Sequence, residues 1–92
     1  MAKFVCGKLV WTAGVNEKMA ESAEFCKGVL ASLKRHASGD WGDMPECDRK
    51  ENEYALGHGL RLMSAYNLND GKIWIITEAD RSATTVLFPE EY

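Results

Sequence analysis

The chain lacks any Cys-x-x-Cys pair. Its three cysteines, Cys6, Cys26 and Cys47, are odd in number and stand about twenty residues apart, a spacing that suits reduced thiols better than a disulfide framework. No stretch approaches the ~18–20 apolar residues that a membrane helix needs. The opening run from Met1 to Lys8 lacks the apolar core of a signal peptide, so the expected location is the cytoplasm, with no membrane partner. A Gly-x-Ser-x-Gly elbow and a glycine-rich phosphate loop are also missing, because Gly57-His58-Gly59 is too short for either. Internal repeats, low-complexity tracts and long linkers are absent. At 92 residues the expectation is a single domain over residues 1–92. That is too small for a dinucleotide-binding domain beside a substrate domain, or for a (β/α)₈ barrel.

No charge of one sign dominates. The formal net charge is -3, with 46% hydrophobic and 27% charged residues, which is the composition of a globular chain rather than a disordered or fibrous one. The distribution is uneven: residues 1–39 carry six bases against three acids, and residues 40–59 carry six acids against Arg49 and Lys50. Only the first segment could offer nucleic acid a basic face. The acidic excess is far too small to imitate the charge density of a phosphate backbone.

What is present reads as alternating elements. Lys8 to Thr12 is a short β-prone run, ended by Ala13-Gly14, and Asn16 is a candidate N-cap for the helix that follows. From Glu17 to about Ala37 the residues Met19, Ala23, Cys26, Leu30 and Leu33 recur at spacings of three and four, the stripe of one amphipathic helix. A break at residues 38–43 precedes a second helix from about Met44 to Gly57. Asp43 and Glu46 form its expected capping box, Pro45 falls in its first turn, and its wide polar face puts it on the surface. The last third reads as strands: Arg61 to Tyr66, Lys72 to Glu78 after an Asp70-Gly71 hairpin turn, and Ala83 to Phe88. The expected fold is α+β, an antiparallel β-meander of three to four strands with two helices packed on one face, in the order β-α-α-β-β-β.

Five blocks then stand in a fixed order: His36-x-x-Gly39-Asp40-Trp41-Gly42-Asp43, Asn52-Glu53, Arg61 to Tyr66, Ile73 to Ser82, and Thr84 to Tyr92. In these blocks the chain resembles a family of small proteins of bacterial plasmids and conjugative elements, labelled only "plasmid-related", over residues 9–92. The run Met44-Pro45-Glu46-Cys47 departs from the family's more frequent order. The resemblance implies a bacterial cytoplasmic protein carried on mobile DNA. It carries over no catalytic residue and no cofactor.

Three constellations are candidates for chemistry. His36, Asp40 and Asp43 have spacings that would let them converge on a divalent metal; against that, capping accounts for Asp43, a turn for Asp40, and a core-edge plug for Trp41. Glu78 and Asp80 would share one face if the strand ran on to Asp80, an arrangement that holds Mg²⁺ for phosphodiester cleavage. The competing account is a hairpin turn in which Asp80 binds backbone and Arg81 pairs with an acid. Trp11, Trp41, Trp74, Tyr54, Tyr66, Phe88 and Tyr92 could form a stacking platform for single-stranded nucleic acid, but the strands supply few interleaved bases. Cys26 is expected to be a buried, inert thiol, and Cys47 lies near a helix start that lowers thiol pKa.

The resulting expectation is a non-enzymatic module that binds a protein or other macromolecule of the host or mobile element. Interference with restriction or another host defence is one role that context admits. The candidate surface is His36, Asp40, Trp41, Asp43, Glu78, Asp80 and Arg81, with no metal and no cofactor. The alternative is a small divalent-metal-dependent nucleic-acid hydrolase built on Glu78 and Asp80 with His36 or Asp40. A weak DNA-binding regulator using the basic first segment is the third.

Overall fold

The structure, a computed structural model, describes residues 2–92. Its strands fall where β-branched and aromatic residues cluster: β1 at Lys8–Trp11, β2 at Leu62–Leu68, β3 at Gly71–Thr77 and β4 at Ala83–Leu87. They form one sheet in the order β1-β4-β3-β2. Strands β2, β3 and β4 are antiparallel neighbours as expected, with Ser64 opposite Ile75 and Ile75 opposite Val86. Strand β1 departs from the expected meander. It runs parallel to β4, with Leu9 opposite Thr84 and Trp11 opposite Val86, so the sheet is mixed. Parallel pairing needs a long crossover, and here every helix and two strands lie between the partners.

The long amphipathic stripe is two helices, α1 (Ala13–Glu21) and α2 (Ala23–Ala37), so the described residues hold three α-helices and not two. Ser22 makes the break. Its backbone is extended, its N–H closes α1 on the carbonyl of Lys18, and its side chain accepts from Phe25 N to open α2. The apolar spacing continues across the break because Met19 of α1 and Phe25 of α2 pack on the same core. The cap of α1 is Thr12, whose hydroxyl accepts from Val15 N. Asn16 instead accepts from Trp11 Nε1 at 3.0 Å.

Helix α3 spans Glu46–His58, begins at Pro45 without a side-chain cap, and ends at Gly59 in the left-handed conformation (φ 64°). The expected Asp43 cap is therefore absent; that carboxylate is used on β2, as described below. Helices α1 and α2 bury Val15, Phe25, Val29 and Leu33 against Tyr66, Ile73, Ile75 and Val86 of the sheet. Each such side chain contributes roughly 1.5–3 kcal/mol on burial. Trp41, Ala55 and Leu62 form a smaller cluster under α3, with Phe4, Met44 and Leu56 against it. No helix among the described residues is long and apolar enough to cross a membrane.

Candidate functional site

The loop at residues 39–43 works on the outer edge of β2. Gly39 and Gly42 have φ of 83° and 74°, which lets the chain double back beside the strand. Gly42 then forms a parallel bridge with Ala65. Ala65 N donates to Trp41 O at 3.3 Å and Asp43 N donates to Ala65 O at 2.7 Å. Asp43 Oδ2 accepts from Asn67 N at 2.8 Å. Two residues earlier on the same edge, Asn52 of α3 accepts from Met63 N and donates to Met63 O. A bridge, a carboxylate and a side-chain amide thus occupy the outward-facing backbone groups of three alternate β2 residues, which closes that edge to further pairing. Asp40 holds the loop, accepting from Gly42 N at 3.1 Å and from Arg35 Nε at 2.7 Å. The hydrogen bond from Arg35 is the main reason its carboxyl lies below the usual range. Trp41 is buried, with Nε1 donating to Glu53, which fits the core-edge plug and not a place on the candidate surface.

His36 is fully enclosed. Nδ1 lies 2.6 Å from Ser64 Oγ and Nε2 lies 2.8 Å from Thr77 Oγ1. The chain continues through Thr77 Oγ1 to Thr84 Oγ1 at 2.7 Å, and Thr84 donates to the carbonyl of Cys6 at 2.7 Å. A carbonyl only accepts, so the protons of the whole chain are ordered. Thr84 donates to Cys6 O, Thr77 to Thr84, and His36 Nε2–H to Thr77, while Nδ1 accepts from Ser64. The imidazole is neutral in one tautomer. Burial, helped by the charge of Arg81, pushes its pKa down to about 4. Neither nitrogen has a lone pair to offer a metal or a partner.

The strand does not continue to Asp80. β3 ends at Thr77 and residues 78–82 form a turn, so period-two geometry does not place Glu78 and Asp80 on one strand face. Asp80 Oδ1 accepts from Ser82 N at 3.0 Å, the backbone role weighed against catalysis. Arg81, with φ 61°, pairs with no acid. Its Nη1 donates to the carbonyls of Leu60, Glu78 and Ala79, and its guanidinium lies 5.7 Å from the Phe4 ring centre. Among the described residues no three His, Cys, Asp or Glu side chains converge as a metal site. Trp41 and Tyr66 are buried, so the aromatic residues do not share one platform. Cys26 is only half-buried, and Cys47 is exposed.

A broad groove lies elsewhere, between α3 and the start of β2. This groove, of about 1040 Å³, is lined by the apolar Met44, Ala55, Leu60 and Met63 and by the charged Asp48, Glu51 and Arg61. Tyr54 (54% exposed) and Leu60 (50% exposed) leave large apolar area open to solvent beside it. Tyr54 is held by stacking on His58, with ring centres 3.9 Å apart. A smaller cleft of about 270 Å³ beside it is lined by Asp40, Trp41, Arg49 and Glu53. None of the seven candidate residues lines the larger groove. The missed signal was the pairing of Tyr54 with Leu60, two large apolar residues flanking the glycines that end α3. Comparison with family models, curated proteins and solved structures finds no match to this chain.

Proposed function

We propose that this protein is a non-enzymatic binding module of a mobile element, and that it takes a protein of the host or the element in the groove between α3 and β2. The observation that carries the reading is the groove itself: Met44, Ala55 and Met63 line it together with the exposed Tyr54 and Leu60. Exposed aromatic and aliphatic side chains grouped in a concavity are the usual anchors of protein interfaces. The acidic residues Asp48 and Glu51 beside them favour a partner segment with basic residues flanking an apolar one. The mobile-element context rests on the block resemblance of residues 36–92, and interference with host restriction or defence is the role proposed within it.

Affinity capture from host extract with wild type and a Tyr54→Ala/Leu60→Ser variant tests the reading. A protein retained by wild type and lost from the folded variant supports it. Equal retention by both moves the binding site off the groove. Divalent-metal-dependent cleavage of nucleic acid by the wild type would replace the module with the hydrolase.

A further inference from the structure

The two edges of the sheet are treated in opposite ways. The β2 edge carries the Gly42 bridge, the Asp43 carboxylate and the Asn52 amide. The β1 edge carries no comparable device among the described residues. Lys8 N donates to Ser82 O at 3.0 Å and Thr12 N to Val86 O at 3.1 Å. Alternation therefore turns the backbone of Lys8, Val10 and Thr12 toward β4 and that of Leu9 and Trp11 away from the sheet. Beside those open groups, Leu9 is 49% and Trp11 38% exposed. An open edge flanked by apolar side chains is a template for another strand.

We infer that β1 pairs antiparallel with β1 of a second copy of this chain, about a two-fold axis through Val10, joining the two sheets into one of eight strands. The inference is independent of the α3 groove. This register follows from the strand itself. It sets the outward-facing Leu9 opposite the outward-facing Trp11 of the second copy, twice, so that each pair exchanges two backbone hydrogen bonds. Leu9 and Trp11 lie on the same face, since they pair with Thr84 and Val86 of β4, so the opposed side chains touch. The charges match as well. Lys8 falls opposite Thr12 of the second copy, and Thr12 donates its hydroxyl proton to Glu91 Oε1 at 2.6 Å. Each Lys8 is thereby brought to the Glu91 carboxylate of the other molecule, and the two Lys8 residues stay at opposite ends of the ribbon. Within its own chain Lys8 has no salt bridge among the described residues. An edge of four residues buries little area, so the dimer is a weak one that forms with rising concentration.

Sedimentation equilibrium over a concentration series tests the inference. Wild type is expected to move from monomer to dimer. Leu9→Lys and Trp11→Glu, each placing a charge against an apolar residue, are expected to weaken association about tenfold or more. Combining both changes in one chain restores it, because position 9 then meets position 11 as Lys against Glu. A wild type that stays monomeric throughout overturns the inference, as does a dimer that both single variants keep. Failure of the double variant to recover, with its circular dichroism unchanged, removes the register. Hydrogen exchange on wild type gives an answer without variants. The amides of Leu9 and Trp11 should gain protection with concentration while those of β2 do not; unchanged exchange at both positions refutes the pairing.

Discussion

His36 is neutral because of where it is buried. Its two nitrogens meet the hydroxyls of Ser64 and Thr77, and the proton order set by the carbonyl of Cys6 leaves Nδ1 as an acceptor. Protonation would place a charge in a site closed off from solvent, with the positive charge of Arg81 opposing it further. The pKa therefore lies at about 4 in the folded chain against an ordinary 6.5. A depressed folded value means that the unfolded chain takes up the proton first. Stability should be level above about pH 6.5 and fall as the pH drops toward 4, by up to roughly 3 kcal/mol. Urea unfolding at stepped pH would read this as a steady loss of midpoint, and a midpoint unchanged over that window would refute it. Replacing His36 by Leu should cost about 2–4 kcal/mol near neutral pH, since it strands the buried Ser64 hydroxyl and takes from Thr77 the donor it accepts from. It should also abolish the acid-dependent loss. Sequence singled out His36 as a candidate metal or surface residue, but it is buried and its hydroxyl partners come from β2 and β3. No local spacing announces them.

At the scale of elements, the glycines separate two effects that look alike in sequence. A Cβ on Gly42 would run into the carbonyl oxygen of Ala65 and the ring of Tyr66, at a φ of 74°. Gly42→Ala should therefore break the bridge that covers β2, costing about 2 kcal/mol or more. The exposed edge should also raise aggregation on heating, readable by light scattering. Gly57 lies within α3, and nothing stands within 4 Å of its missing Cβ. Gly57→Ala should raise stability by about 0.5–1 kcal/mol, because alanine loses less backbone freedom on becoming helical. A thermal melt that falls for Gly57→Ala, or that is unmoved for Gly42→Ala, would contradict these accounts. Element types were legible where the determinant is local: the run Ile73-Trp74-Ile75-Ile76-Thr77 could only be a central strand, and Asp70-Gly71 marked its hairpin. The division between α1 and α2 was not, since Ser22 interrupts the backbone without interrupting the apolar spacing. The groove was hidden for a related reason. Asp48, Glu51 and Tyr54 look like a solvated helix face until β2 is set beside them.

The whole molecule depends on how its two ends meet, which no periodicity encodes. Strand β1 pairs with β4 across the length of the chain, and Glu91 fastens the same corner. Its carboxylate accepts the Thr12 hydroxyl at 2.6 Å, Phe88 N at 2.9 Å and Gly14 N at 3.1 Å. The Thr12 hydroxyl does most to hold its pKa below the ordinary 4.5. A depressed carboxyl adds stability that is present above its ordinary pKa and is lost as pH falls below it. His36 and Glu91 thus lose their contributions in different windows and at different places: His36 inside the fold between about pH 6.5 and 4, and Glu91 at the β1 corner below 4.5. Removing Glu91 should loosen that corner before it loosens the sheet. In native-state hydrogen exchange, Glu91→Ala, which removes all three of these hydrogen bonds, is expected to cut the protection of Val10 and Thr12 by about tenfold or more. Ile75, buried and paired with strands on both sides, should change far less. Equal losses at all three would mean that β1 and the central strands unfold as one unit, and that the parallel strand is as integral to the domain as the hairpins.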